Sequence, residues 1–381
     1  MKAEWEVKTL GDLCEILDRL RKPITKRNRV PGPYPYYGAT GVLDHVDGFL
    51  FDETLVLLGE DGAKWEPGAK SAFSIDGKTW VNNHAHVMRP NRAIIDDNWL
   101  IYFLNFSDLM PFVSGMTVPK LNQGSLREIQ IPLPPLAEQK RIVSILDEAF
   151  EGLDRARENA EANLKSAREL FEERRRTLVS NKTTGDLLTL KDVCINFEYG
   201  TSSKSSATGC TPVLRMGNLQ DGEIDWTNLV YSNDAGEREK YMLHKGDVLF
   251  NRTNSQAHVG KTSIFDGKMP AIFAGYLIRV TPKKEKLTNE FLNHYLNSDI
   301  AREYGRSVMG KSVNQANISG SRLKTYPINL PELDRQHEIT LELDALKVKV
   351  QKMQALYRTK VQDISDLRQS LLQKAFAGEL T

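Results

Sequence analysis

Two stretches of the chain carry their apolar residues at alternating spacings of four and three. The first runs Ile142, Leu146, Ala149, Leu153, Ala156, Ala160, Asn163, Ala167, Leu170, and the second Ile339, Leu343, Leu346, Val350, Met353, Tyr357, Lys360, Ile364, Leu367. Each position lies 197 residues from its counterpart, and the polar interruption recurs too, Asn163 matching Lys360. A sustained four-three spacing is the seam of a coiled coil. Helices of roughly 40 residues would each be about 60 Å long. Two such helices, each following a globular stretch, most simply pair with each other. Antiparallel pairing would relate the globular stretches by a pseudo-twofold axis.

The repeat begins before the helices. Ile131-Pro-Leu-Pro-Pro-Leu-Ala-Glu-Gln-Lys-Arg-Ile142 and Ile328-Asn-Leu-Pro-Glu-Leu-Asp-Arg-Gln-His-Glu-Ile339 are also 197 apart, matching Pro134 with Pro331 and Gln139 with Gln336. Proline suits the approach to a helix and its first turn, where its missing N–H would have no partner anyway. Farther upstream the echo continues at smaller offsets. Leu10-Gly-Asp-Leu-Cys14 resembles Leu190-Lys-Asp-Val-Cys194 at 180, and Leu100–Asn105 resembles Leu292–Asn297 at 192. An offset that grows inside the globular stretches and stays constant along the helices is the mark of duplication, with loops absorbing length changes. Thr54–Leu58 and His84–Met88 predict short strands, Asn98–Leu104 a short helix, and the proline-rich Val30–Gly38 excludes a helix interior. The fold class expected is mixed α/β (α+β), with two similar globular domains, residues 1–134 and 181–331. Each is followed by a long coiled-coil helix, 135–180 and 332–381.

Composition narrows the class without naming a function. The chain has 381 residues, 40% of them hydrophobic, enough for more than one core. No apolar run approaches the length of a membrane span. The start, Met1-Lys-Ala-Glu-Trp-Glu-Val-Lys8, lacks the apolar stretch of a secretory signal. Cys14, Cys194 and Cys210 form no close metal-ligand pair and no disulfide framework. A cytoplasmic protein is the expectation.

Catalytic motifs are incomplete. His258-Val-Gly-Lys-Thr-Ser263 resembles the end of a phosphate-binding P-loop, but Ser255 stands where the earlier glycine is required. His84 and His86 are spaced to share one strand face and bind a metal, yet no third ligand is evident, and a polar face or a DNA contact fits them better. Rossmann, zincin and nucleophile-elbow patterns are missing, and Leu133-Pro-Pro-Leu136 lacks the polar and aromatic residues of an amino-methyltransferase loop. No metal site and no catalytic residue is expected.

The loops favour nucleic acid, since Lys and Arg neutralise phosphates while Arg, Asn and Gln make paired contacts to base edges. Candidates in the first domain are Lys26 and Arg27, within a basic stretch 19–29, together with Tyr37, Lys120, Asn122 and Gln123. In the second they are Lys204, Arg252, Asn254, Lys261, Asn314 and Gln315. Each could equally be an ordinary solvated loop residue. Residues 1–134 hold 15 Lys and Arg against 17 Asp and Glu, and residues 181–331 hold 19 against 15. Neither domain is a strongly basic clamp, so partner proteins would supply much of the phosphate contact.

The order of a domain, a Pro-Leu-Pro-Pro-Leu-Ala-Glu-Gln segment, a long helix, a second domain and a second long helix resembles the specificity (HsdS) subunit of type I restriction–modification enzymes. The C-terminal Leu371-Leu-Gln-Lys-Ala-Phe-Ala-Gly-Glu-Leu380 is similar to the end of those subunits. The second copy departs from the pattern at Asn329, Glu332, Asp334 and His337. The resemblance implies two target recognition domains, each reading half of a bipartite double-stranded DNA sequence. It implies helices that set the unread spacer and dock two methyltransferase subunits, restriction subunits as further partners, and no catalysis by this chain. S-adenosylmethionine and ATP would sit on the partner subunits and no cofactor on this one. Apolar positions off the seam, Leu164, Phe171, Leu341, Val348 and Val361, could face those partners or pack at the helix ends. Two other expectations compete: a coiled-coil adaptor with two ligand-binding domains and no DNA, and a metal nuclease using the carboxylates of Gly59-Glu-Asp-Gly-Ala-Lys64.

Overall fold

A computed structural model of the protein describes residues 5–180, 186–311 and 315–380. The chain divides into two compact units, one made of residues 1–161 with 358–381 and the other of residues 162–357. Each long helix is therefore shared, half of it belonging to each unit.

The first unit opens with β1 (Glu6–Thr9) and one helical turn, α1 (Leu10–Leu13), capped by Thr9, whose side chain accepts the Asp12 N–H. Then follow β2 (Cys14–Ile16), β3 (Pro31–Gly38), β4 (Gly41–Val46), β5 (Phe51–Asp52) and β6 (Leu55–Gly59). Next come β7 (Ala72–Ile75), β8 (Lys78–Val81), β9 (Ala85–Pro90) and the helix α2 (Asp97–Phe106). A hairpin of β10 (Val113–Ser114) and β11 (Lys120–Leu121) leads through α3 (Gln123–Arg127) and β12 (Gln130–Leu133) to the long α4 (Leu136–Val179). The main sheet is antiparallel in the order β2-β9-β6-β7, and β6 is buried along its whole length, as its unbroken apolar run requires. A second sheet, β4-β3-β8-β5, holds the proline-rich strand, with β3 parallel to β8. Asp96 caps α2, accepting from the N–H groups of Asn98 and Trp99. Trp99 is fully buried and its indole N–H donates to the Pro132 carbonyl at 2.9 Å. Phe376, from the C-terminal helix, packs on Trp99, Phe103 and Phe106 with ring centroids 4.8–5.3 Å away.

The second unit repeats the plan. It contains β13 (Asp186–Thr189), α5 (Leu190–Val193), β14 (Cys194–Tyr199), β15 (Thr211–Leu214), β16 (Leu219–Gln220) and β17 (Glu223–Ile224). These lead to β18 (Val230–Ser232), α6 (Ala235–Tyr241), β19 (Val248–Asn251), β20 (Thr253–Asn254) and β21 (Thr262–Ile264). Then come β22 (Ile272–Phe273), β23 (Leu277–Pro282), α7 (Asn289–Asn297), α8 (Asp299–Val308), β24 (Gly310–Lys311) and β25 (Ala316–Asn317). The unit ends with α9 (Gly320–Leu323), β26 (Pro327–Leu330) and the start of α10 (Leu333–Ala377).

Its main sheet, β14-β23-β19-β21, has the order of the first unit's. The registers agree residue by residue. Glu6 faces Leu133 across β1 and β12, and Asp186 faces Leu330 across β13 and β26, so one strand is shifted by 180 and its partner by 197. One difference lies after α7, where α8 replaces the single tight turn Met110–Phe112 of the first unit.

The long helices depart from a strict heptad seam. Ile142, Leu146, Ile339, Leu343 and Val350 are buried, and Leu153, Leu346 and Ile364 are partly so. Leu170 and Leu367, expected on the seam, are 64% and 49% exposed. Phe171 and Arg368 take their places, the latter with its guanidinium 4.1 Å over the Phe150 ring. In α4 the buried side chains Ala160, Ala167, Phe171 and Leu178 include two pairs eleven apart, the repeat of a helix with about 3.67 residues per turn. A helix that is not underwound to 3.5 drifts off the heptad by about 20° per repeat, and by the fifth repeat the seam has moved one residue along.

Candidate nucleic-acid interface

In the first unit a cluster of polar side chains sits at one end of the main sheet and includes contacts to two of the candidates, Lys120 and Gln123. Four side chains meet there in the first unit: Asp18 just after β2, Arg21 in the turn beyond it, Glu60 just after β6, and His86 on β9. The Arg21 guanidinium pairs with Glu60 and with Asp18 at 3.3 Å, and donates to the Ala85 carbonyl at 2.7 Å. His86 is fully buried, with Nδ1 2.6 Å from Asp18 and Nε2 2.7 Å from the Leu121 carbonyl. Both ring nitrogens face acceptors, so the hydrogen bonding is complete only with a proton on each. Burial pushes the Asp18 carboxyl up, but the His86 hydrogen bond, the Val87 N–H and Arg21 outweigh it and hold it below its ordinary value. Glu60 is likewise held low, its burial outweighed by hydrogen bonds from Lys120 and Arg21.

Asp18, Glu60 and His86 bring three potential metal ligands within 4.8 Å of one another. Their ligand atoms are already spent on Arg21, Lys120, Gln123 and a backbone carbonyl, and the cationic side chains supply the charge a metal would bring. The cluster is a buried ion-pair network. It also separates the two histidines considered together from the sequence, since His84 is half exposed and pairs with Asp61. Glu60 and Asp61, the carboxylates of the nuclease alternative, are thus paired, Glu60 with Arg21 and Lys120 and Asp61 with His84.

Of the predicted residues of the first unit, Lys120 and Gln123 belong to this network. Lys120 Nζ lies 2.8 Å from Glu60 while much of its side chain stays exposed. Gln123 donates to Asp18 at 3.1 Å, and Asn122 caps α3 by accepting the Ser125 N–H. Lys26 and Arg27 are exposed on a single 3-10 turn, Lys26–Asn28. Tyr37 is half-buried with its hydroxyl pKa raised by burial, and its carbonyl accepts the Asn82 N–H at 3.0 Å. Within the basic stretch, Arg21 and Arg29 serve the fold instead. Arg29 lies over the Tyr36 ring at 4.5 Å and pairs with Asp44.

The same place in the second unit carries different chemistry. Met88 faces Ile16 and Val56, and Val280 faces Phe197 and Val248, so the ladders equate Asp18 with Tyr199, Glu60 with Arg252 and His86 with Ile278. The Leu121 N–H donates to the Glu60 carbonyl and the Ile318 N–H to that of Arg252, as this equivalence demands. An aromatic cation pair replaces the ionic cluster. The Arg252 guanidinium sits 4.9 Å over the Tyr199 ring and donates to the Gly275 carbonyl at 3.1 Å, while its Nε is buried without a partner. Tyr199 accepts the N–H of Gly320, the first residue of α9, at 2.7 Å. Arg252 and the exposed Lys204 line a cavity of about 720 Å³ with Thr201, Arg215 and Tyr276. Asn254 is half-buried on β20 beside β25, Gln315 is exposed, and Lys261 donates to Gln220 at 2.9 Å. Asn314 lies outside the described residues. The P-loop-like segment runs into strand β21, where a phosphate-binding loop would open a helix, so the partial motif does not have the P-loop's structure.

The family model of the type I restriction modification DNA specificity domain matches residues 2–164 and 186–356. A type I restriction enzyme specificity subunit of Haemophilus influenzae is 26% identical over 358 residues, spanning 90% of this chain and 87% of its own. The EcoKI specificity subunit of Escherichia coli K12 is 24% identical over 354 residues, spanning 86% and 75%. Among solved structures, a chain from a study of complex assembly and conformational transition in the type I R-M system matches with a TM-score of 0.76 at 19% identity, covering 100% and 99%. The HsdS subunit from Thermoanaerobacter tengcongensis matches with a TM-score of 0.55, also at 19% identity, covering 100% and 98%. No helix among the described residues is long and apolar enough to cross a membrane. With both globular units matched by the family model, the chain belongs to the type I restriction–modification DNA specificity subunits, the target-recognition chains of those systems.

Proposed function

We propose that each unit reads one half of a bipartite double-stranded DNA target and that the two shared helices set the number of unread base pairs between the halves. The observation that carries this is the repeated frame with unlike chemistry at one place: Asp18, Glu60 and His86 in one unit stand where Tyr199, Arg252 and Ile278 stand in the other. A common scaffold presenting different groups suits two half-sites of different sequence. Lys26, Arg27, Tyr37, Lys120, Asn122 and Gln123 serve the first half-site, and Lys204, Arg252, Asn254, Lys261, Asn314 and Gln315 the second. The chain performs no catalytic step and binds no cofactor. Two methyltransferase subunits carry S-adenosylmethionine, and ATP-dependent restriction subunits join them, in the cytoplasm. Leu341 and Val348, exposed on α10, and Leu170 on α4 offer apolar contacts to these partners.

The test is adenine-methylation mapping by long-read sequencing in cells with and without this chain, its methyltransferase partner present in both. A bipartite motif lost with the chain is the expected result. Unchanged methylation would overturn the proposal. Inserting one heptad at equivalent points of α4 and α10 should lengthen the unread gap and preserve both half-sites, and an unaltered gap would refute the role of the helices.

A further inference from the structure

The second unit holds a cleft with strongly one-signed walls. Its cavity of about 320 Å³ is bounded by Arg302 and Arg306 of α8, Arg168 of α4, and His258 and Lys261 of the segment between β20 and β21. Phe250, Leu296, Ile318 and Tyr326 form its apolar wall, and Asp221 is the one carboxylate lining it. Arg302 and Arg306 are one helical turn apart, so they share a face. None of the three arginines has a carboxylate partner among the described residues, and Lys261 is held by the neutral amide of Gln220. Some other cations of the unit do meet carboxylates: Arg279 bridges Glu198 and Asp247, and Lys347 meets Glu223.

Solvated arginines on a convex surface need no partner, but four cations converging on a concavity with an apolar wall focus a positive field into it. Their placement is also informative. Arg302 and Arg306 lie on α8, an element that the first unit lacks, and Lys261 joins the cleft to the residues assigned above to the second half-site.

We propose that this cleft is a phosphate site. Arg302 and Arg306 hold the group from one side, Arg168 and Lys261 from the other, and the phosphate belongs either to the DNA backbone or to a free phosphate compound. The DNA form rests on the function proposed above and makes α4 a DNA-contacting element as well as a spacer. A lone guanidinium can bind two phosphate oxygens in its planar fork, which favours arginine here over lysine.

The experiment compares the full chain in complex with its methyltransferase subunits against Arg302→Gln/Arg306→Gln and Arg168→Gln variants, with Lys284→Gln as a surface-charge control. These side chains reach the cleft from outside the core, and melting curves confirm folding. Duplex affinity is measured across a salt series, and thermal stabilisation by inorganic phosphate is measured without DNA. If the DNA backbone is the ligand, the log–log salt slope becomes shallower by about 0.9 for each phosphate no longer neutralised, the methylated sequence stays the same, and Lys284→Gln changes nothing. If a free phosphate compound is the ligand, the slopes are equal and phosphate stabilises the parent complex but not the cleft variants. Equal slopes with no phosphate effect overturn the site, as does a slope change matched by Lys284→Gln. A parent complex with no sequence-specific DNA binding would sink the function proposed above, and the phosphate measurement would still judge the cleft.

Discussion

Gln139 and Gln336, 197 residues apart and both fully buried, make the same three hydrogen bonds. The Gln139 carbonyl accepts the Asp96 N–H at 2.9 Å, and its amide donates to the carbonyls of Ile94 and Pro134 at 2.9 and 2.8 Å. The Gln336 carbonyl accepts the Thr288 N–H at 2.9 Å, and its amide donates to Lys286 and Pro331 at 2.7 and 2.8 Å. Asp96 and Thr288 are the caps of α2 and α7, so one amide in each unit ties the long helix to the start of the domain helix and to the proline before it.

Replacing either glutamine by leucine orphans buried backbone groups, at about 1–3 kcal/mol for each group left unpaired. Urea unfolding should show comparable losses for Gln139→Leu and Gln336→Leu. A loss below about 0.5 kcal/mol for either would show that the matching geometry is not matching energetics.

The ionic cluster of the first unit gives a signed dependence on acid. Asp18 and Glu60 are held below their ordinary values of 3.8 and 4.5, so their contribution is complete above those values and fades as pH falls through and below them. Unfolding measured from neutral pH down through the carboxylate range should therefore show a loss that Asp18→Asn with Glu60→Gln flattens. The double variant should be less stable at neutral pH, where Arg21 and His86 lose their anionic partners. An identical acid limb in parent and variant would refute this account.

Arg252, its guanidinium fixed over Tyr199, is the residue proposed above to serve the second half-site. Arg252→Ala should weaken duplex binding by about 1–3 kcal/mol and relax the second half-site alone, read as degeneracy in the methylated motif. Gln123→Ala should relax only the first. Equal degradation of both half-sites by either variant would show that the units do not read separately.

Exposure separates neighbours on α4. Phe171→Ala removes a buried ring that Arg175 covers at 4.8 Å and should cost about 3–5 kcal/mol, whereas Leu170→Gln should stay within about 0.5 kcal/mol in the isolated chain. If the Leu170 variant were the damaging one, the seam would be the strict heptad after all.

The frame was legible because duplication wrote it twice. A constant offset of 197 located both helices, and the smaller offsets at Cys14 and Asn105 proved to be real equivalences. Asn105 and Asn297 lie in the last turns of α2 and α7, and each bonds the first residue of the adjacent strand, Ala72 or Thr262. The heptad pattern placed the start of each seam and lost its far end, because spacing alone does not say whether a helix is underwound. The cluster at Asp18 was invisible for a different reason. Arg21 sits among exposed basic residues, and only the fold brings in Glu60 and His86 from distant strands to bury it. The cleft arginines, too, are spread over separate elements and form no motif.

Phe376 sits in the aromatic core of a unit whose other residues are nearly all drawn from the first 161. During synthesis the second unit, one continuous stretch of chain, has all its parts before the first unit receives its final side chains. The N-terminal unit waits with an open hydrophobic face while the rest of the polypeptide is made. A chain cut between residues 357 and 376 would therefore injure the first unit and leave the second whole.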